Sequence, residues 1–200
     1  MTEYIHTVNR MCQTFAVHEY LAVDDELPTV AGRPCRNLSY DEPAPGTHVV
    51  VAVTDVGLRR KVIEDYVLRY RLPAPNIIHP DAKVETCSIH GQGNIIGPWS
   101  YFGAGTALDS FNVVHYHCSF GHHSRVGVNN FFSPNFHCGN SVVIGDDNLF
   151  GLSCAVAPHV VVGRSCSFQA GLCLFEDPES RASYFLPNRM KSMKSLEGIQ

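Results

Sequence analysis

An apolar residue at every sixth position, a glycine directly after many of them and a small residue two places before predict a mainly β chain, a left-handed parallel β-helix preceded by a small α/β unit. The apolar phase runs without insertion from Ile78 to Leu174 through Val84, His90, Ile96, Phe102, Leu108, Val114, Phe120, Val126, Phe132, Cys138, Ile144, Phe150, Val156, Val162 and Phe168. Of these 17 positions only His90 is polar, in a chain that is 44% apolar. Neither the 3.6-residue period of an amphipathic helix nor the two-residue alternation of a β-sandwich gives this spacing. A triangular solenoid does: each hexad is one short flat strand and one corner. The apolar side chain points inward, a small one (Ser88, Ser100, Thr106, Cys118, Ser124, Cys154, Cys166) fits near the corner, and glycine (Gly91, Gly97, Gly103, Gly121, Gly127, Gly139, Gly145, Gly151, Gly163) tolerates the tight turn. Three hexads close one coil. Residues three hexads apart then stack at about 4.8 Å, the ordinary strand separation.

Residues 1–75 lack the hexad and form the α/β unit. An apolar segment ends in acids at Tyr20–Asp25, His48–Val53 reads as a strand, and Leu58–Tyr70 reads as a helix with its charges on one side. Pro73, Pro75 and Pro80 mark the junction. The domains expected are residues 1–75, the β-helix at 76–175, and a cap with a loose basic tail at 176–200.

Composition excludes several classes. The net charge is -4, and 15 basic residues scattered through 200 leave no stripe that would neutralise the phosphates of a nucleic acid. No apolar run approaches the roughly 20 residues that span a bilayer, and MTEYIHTVNR lacks the features of a secretory signal, so the expectation is a cytoplasmic protein. Eight dispersed cysteines with no CxxC pair fit buried thiols better than disulfides or a structural zinc site.

From about Tyr20 to Phe175 the sequence resembles the hexapeptide-repeat sugar acyltransferases, which N-acetylate nucleotide-linked amino sugars or O-acetylate sialic acid. The resemblance is carried by GHHSRVGVNNFFSPNFHCGNSVVIGDDNLFGLSCAVAPHVVVG, Gly121–Gly163, by the IIHP start at Ile77–Pro80, and by Val23, Asp24 and Asp25. It implies an acetyl-CoA donor with no metal, a sugar or nucleotide-sugar acceptor, and a homotrimer with active sites between subunits. The family's catalytic histidine falls on His122. The chemistry agrees with that assignment: a thioester is already activated, so what remains is removal of a proton from an amine or hydroxyl, a task for neutral imidazole near pH 7. Backbone N–H groups at a corner would stabilise the oxyanion. Cys118, the alternative nucleophile, lies in the inward small-residue phase.

Carried over position by position, the resemblance puts coenzyme A at Phe131, Leu152, Val161 and Ala170 and the acceptor at Asp24, Asp25 and Thr54. Arg189, Lys191 and Lys194 would meet the nucleotide phosphates or form a solvated basic tail. The chain departs from the family in three places. His123 stands where the family has an acid after the catalytic histidine. Phe131 stands where the family often has a histidine that touches the thioester, with His115, His117 and His137 as candidate replacements. The family's first strand and its glycine-rich turn are not visible in MTEYIHTVNRMCQTF, so the unit reads as shortened at its start.

Two other functions compete. A γ-class carbonic anhydrase would hold zinc on three histidines; His117 and His122 resemble its ligand pair, but Asp81 occupies the third position. A non-catalytic trimeric platform would use the prism for its rigidity alone.

Overall fold

The computed structural model describes residues 2–11, 15–23, 29–30, 32–38, 42–84 and 88–187. The hexads wind into a left-handed parallel β-helix of three sheets. The first face stacks Ile77–Ile78, Ile95–Ile96, Val113–Val114, Phe131–Phe132, Leu149–Phe150, Ser167–Phe168 and Ser183–Tyr184. The second stacks Tyr101–Phe102, Ser119–Phe120, His137–Cys138, Ala155–Val156 and Cys173–Leu174, and the third Ala107–Leu108, Arg125–Val126, Val143–Ile144 and Val161–Val162. Phe120 pairs with Phe102 below and Cys138 above, so stacked neighbours are separated by three hexads, as the sequence predicts.

The predicted inward residues from Ile96 to Phe168 are all buried in one core. Phe132, Phe150, Phe168 and Tyr184 stack face to face in sequence, with ring centroids 5.2, 4.8 and 5.2 Å apart. His90, the one polar member of the phase, is exposed. The first coil slips by one there: Ile89, not His90, bridges Leu108 and packs against the core. Burying an unpaired imidazole would cost more than the slip does.

The small positions behave as predicted at Ser100 and Ser124, which are buried and whose hydroxyls donate to the carbonyls of His115 and Gly139. On the edge leading into the first face that position is asparagine in successive coils. Asn112 Nδ2 donates to Asn94 Oδ1, Asn130 to Asn112 and Asn148 to Asn130, at 3.2, 3.0 and 3.0 Å, while each Oδ1 also accepts the next coil's backbone N–H. Asn94, Asn112, Asn130 and Asn148 are fully buried, and the ladder satisfies their amides inside the prism.

The hexad glycines serve a different purpose from the one the sequence predicts. They do not supply the left-handed turn. That conformation falls two residues later, mostly on ordinary residues such as Trp99, His117, His123, Asn129 and Asp147. The glycines are required by the close approach of the next coil: a Cβ on Gly103 would lie 2.6 Å from the backbone nitrogen of His122.

The amino-terminal unit contains a helix at Thr2–Met11 (α1), a parallel pair of Leu21–Ala22 with Arg36–Asn37, and a helix at Val56–Val62 (α2) that continues as a π-helical stretch, Ile63–Leu68. Asp55 caps α2 by accepting from the N–H of Leu58 at 2.7 Å. The predicted helix is therefore present but starts two residues early. The predicted strand at His48–Val53 does not form: the segment joins no ladder. Its neighbour is the proline-rich junction, where Val49 N–H donates to the carbonyl of Pro73, and neither Pro73 nor Pro75 has an N–H to return.

This unit lies on the first face and on the corner before it. Tyr4 and Val56, with Ile5, Val8 and Val50, cover the outward residues Ile77, Ile95, Val113, Phe131 and Leu149. At the corner Arg59, fully buried, donates from Nε to Asn129 Oδ1 at 2.6 Å, from Nη2 to the Asn129 carbonyl at 3.0 Å and from Nη1 to the Val53 carbonyl at 3.1 Å. Arg60 bonds Asp147 at 2.6 Å. Burial lowers the pKa of Arg59 to about 10, still leaving it charged at neutral pH.

Candidate active site

His122 and His123 occupy the second and third positions of the corner between the second and third faces. The corner is fixed from both sides. His123 N–H donates to the carbonyl of Ala104 in the coil below at 3.0 Å, and the carbonyl of His122 accepts from Ser141 N–H in the coil above at 2.9 Å. Both side chains are exposed, and their Nδ1 atoms lie 2.8 Å apart with the rings at 89°. Gly103 and Gly105 form the floor beneath them. Gly105 is itself left-handed, and a Cβ there would come within 3.1 Å of the His123 ring. The hexad pattern misses Gly105, because it lies outside the glycine phase and its role depends on the coil above.

The other expected residues lie elsewhere on the prism. Leu152 and Ala170 stand on the corner between the first and second faces, and Val161 lies on the third face. Leu152 and Val161 are 52% and 47% exposed, so their apolar surface is open to a ligand. Phe131 is on the first face, only 9% exposed, against Tyr4 and Val56 and 5.8 Å from the Arg59 guanidinium. Within one chain, then, His122 and His123 are brought together, Leu152 and Ala170 share another corner, and Val161 and Phe131 lie on the third and first faces.

Thr54 is exposed beside the α2 cap. Asp24 and Asp25 fall outside the described residues, as do Arg189, Lys191 and Lys194. Val23, just before the two acids, lines an open cleft of about 300 Å³ with Leu38, Leu58, Lys61, Asp65 and Arg69.

Three further histidines have their own partners. His137 Nδ1 lies 2.8 Å from Ser119 Oγ on the second face. His117 stacks on Trp99 at 4.8 Å on the Leu152 corner. His115 packs edge-on against Phe131 at 5.2 Å, and burial lowers its pKa. His117 and His122, the pair considered as zinc ligands, stand on different corners, and among the described residues no three His, Cys, Asp or Glu side chains converge as a metal site. Cys118 is buried and its thiol pKa is pushed up to about 12 by that burial, so it is protonated and shielded at neutral pH. Among the described residues no helix is long and apolar enough to cross a membrane.

No family model and no curated protein matches the chain. Solved structures do. The acetyltransferase domain of PglB from Neisseria gonorrhoeae superposes with a TM-score of 0.77 at 22% identity, covering 90% of this chain and 88% of that one. The same domain in complex with acetyl coenzyme A gives 0.55 at 21% identity, with 90% and 89% covered. A mutant of perosamine N-acetyltransferase from Caulobacter crescentus, in complex with CoA and GDP-perosamine, gives 0.59 at 22% identity, with 91% and 87% covered. At these identities the likeness is one of fold, and it extends over the amino-terminal unit as well as the β-helix.

Proposed function

We propose that this chain is an acyl-CoA-dependent acyltransferase, with acetyl as the acyl group and a sugar or nucleotide-linked amino sugar as acceptor. The observation that carries this reading is the His122–His123 corner: an exposed imidazole on a rigid backbone, with one ring nitrogen engaged and the other open to solvent. The fold shared with acetyltransferases that were solved with CoA, acetyl coenzyme A or GDP-perosamine supports the donor and acceptor classes.

In this reading His122 Nε2 takes the proton from the acceptor amine or hydroxyl as the new bond to the acyl carbon forms. Coenzyme A supplies the activated thioester and leaves as a thiol, so no covalent enzyme intermediate is needed. Backbone N–H groups at a corner face the developing oxyanion. Leu152, Val161 and Ala170 would line the pantetheine arm, an assignment supported by the open apolar surface of Leu152 and Val161. The cleft at Val23, with Lys61 and Arg69 on its wall, would receive the acceptor nucleotide. A homotrimer is part of the proposal: Leu152 and Ala170 belong to a different corner from His122, so a neighbouring copy would complete the site.

The test is free-thiol release from acetyl coenzyme A with a panel of nucleotide-linked amino sugars and free sugars. Turnover that falls about a hundredfold or more in His122→Ala is the expected result. Turnover unchanged in that variant overturns the role of His122, and no binding of acetyl coenzyme A would favour the platform function.

A further inference from the structure

The Nδ1 atoms of His122 and His123 are 2.8 Å apart, a hydrogen-bond distance between two groups of the same kind. A single hydrogen fits between them, so one ring donates and the other accepts. A neutral imidazole has one N–H. If His122 donates from Nδ1, its Nε2 carries a lone pair and can act as a base, while His123 keeps its own hydrogen on Nε2. If the direction is reversed, His122 carries its hydrogen on Nε2 and has nothing with which to take a proton.

We propose that His123 is a positioning residue: its Nδ1 accepts from His122 Nδ1–H, holds His122 in the tautomer whose Nε2 is free, and shares the positive charge when that nitrogen is protonated. This rests on the acyltransferase reading. The protons balance. The neutral pair holds two ring protons, one between the rings and one on His123 Nε2. Transfer from the acceptor adds a third at His122 Nε2, converting the bridging contact into a charge-assisted N–H···N bond, the stronger kind. The pair is regenerated when that proton passes to the departing thiolate or to water.

The surroundings suit such a pair. The His123 backbone is left-handed (φ 60°) and tied to Ala104, and its ring lies over Gly105, where a side chain would intrude. The corners below and above, residues 103–105 and 139–141, contain no titratable group. The flanking strands bring Arg125 on the third face and His137, bonded to Ser119, on the second. Among the described residues no carboxylate occupies this corner, and the contact that His122 Nδ1 makes there is with the second imidazole.

This arrangement differs from a histidine held by a carboxylate in a measurable way. An adjacent anion favours the imidazolium and moves the acid limb of the rate profile to higher pH, whereas a second imidazole adds no negative charge. His123→Gly suits the left-handed backbone and removes the acceptor; it is expected to lower kcat about 10- to 100-fold with little change in KM. His123→Asp is expected to restore most of that loss while moving the acid limb of kcat/KM upward. Nitrogen-15 spectra of the imidazoles in the resting protein provide a reading that needs no turnover. The wild type should show His122 with a protonated Nδ1, and His123→Gly should shift it toward the Nε2–H form. Unaltered His122 ring signals in His123→Gly, or an acid limb that does not move in His123→Asp, would overturn the proposal. If no acceptor supports turnover, the spectra still decide the pair, so failure of the acyltransferase reading and failure of this inference are told apart.

Discussion

Two corners of the same prism are built on the same backbone and carry opposite chemistry. Both have a left-handed third residue, Asn129 at one and His123 at the other, and both are bonded to the coils on either side. At the first, the amino-terminal unit closes over the corner and the polar atoms are paired: Arg59 takes the side chain and carbonyl of Asn129, and Asn129 Nδ2 donates to Asp147 and to the Val56 carbonyl. At the second, nothing among the described residues covers His122 and His123, and their side chains face solvent. The solenoid fixes backbone positions to within a repeat, and what is laid over each corner decides whether those positions are tied into the fold or left open to solvent.

The covered corner depends most on its buried guanidinium. Arg59→Ala leaves the carbonyls of Asn129 and Val53 without their donor and opens a cavity, and should cost about 3 kcal/mol in urea unfolding. His122→Ala at the open corner should stay within about 0.5 kcal/mol of the parent in the same measurement, whatever it does to turnover. Equal losses at the two corners would mean that the open corner is also a structural joint.

A smaller effect is expected inside the prism. Asn112→Ala removes the acceptor for the backbone and side chain of Asn130, and about 2 kcal/mol should be lost in the same unfolding assay. A negligible loss would show that water replaces the ladder.

The mildest perturbation is pH. Burial raises the thiol pKa of Cys118 to about 12 and of Cys138 to about 11, against 9.0 for a free thiol. A group whose pKa is raised on folding contributes stability that is complete below its unfolded value and is lost as pH climbs toward the folded one. Thermal unfolding should thus be insensitive to these thiols below about pH 9 and should weaken progressively between about pH 9 and 12. Cys118→Ser and Cys138→Ser variants should lose part of that alkaline slope.

How much of this was legible in the sequence follows from range. The solenoid is a local rule repeated, so the inward phase from Ile96 to Phe168 could be read directly, and even its exception at His90 marked a true irregularity. The glycine phase was visible but its cause was not, because the crowding of Gly103 by His122 comes from the neighbouring coil. The amino-terminal unit has no repeat; the absence of a ladder at 48–53 follows from the missing N–H groups of Pro73 and Pro75, and the unit's seat on the prism from Arg59 meeting Asn129, far along the chain. His122 was marked by resemblance. That His123 Nδ1 meets His122 Nδ1 depends on a side-chain rotamer that no spacing encodes.

The asparagine ladder makes coil length a matter of counting. Each amide bonds the one a full coil further on, from Asn76 through Asn94, Asn112 and Asn130 to Asn148, so the column recognises whole turns and nothing else. Excising one full turn would bring Asn130 onto Asn94 and reseal the column. Excising one residue fewer than a turn would leave the first amide beyond the cut one position out of line with the acceptor below it, and the column would break at that joint. A gene encoding this chain could therefore lengthen or shorten the prism in whole turns, while a change of any other length would be read by the column as an error.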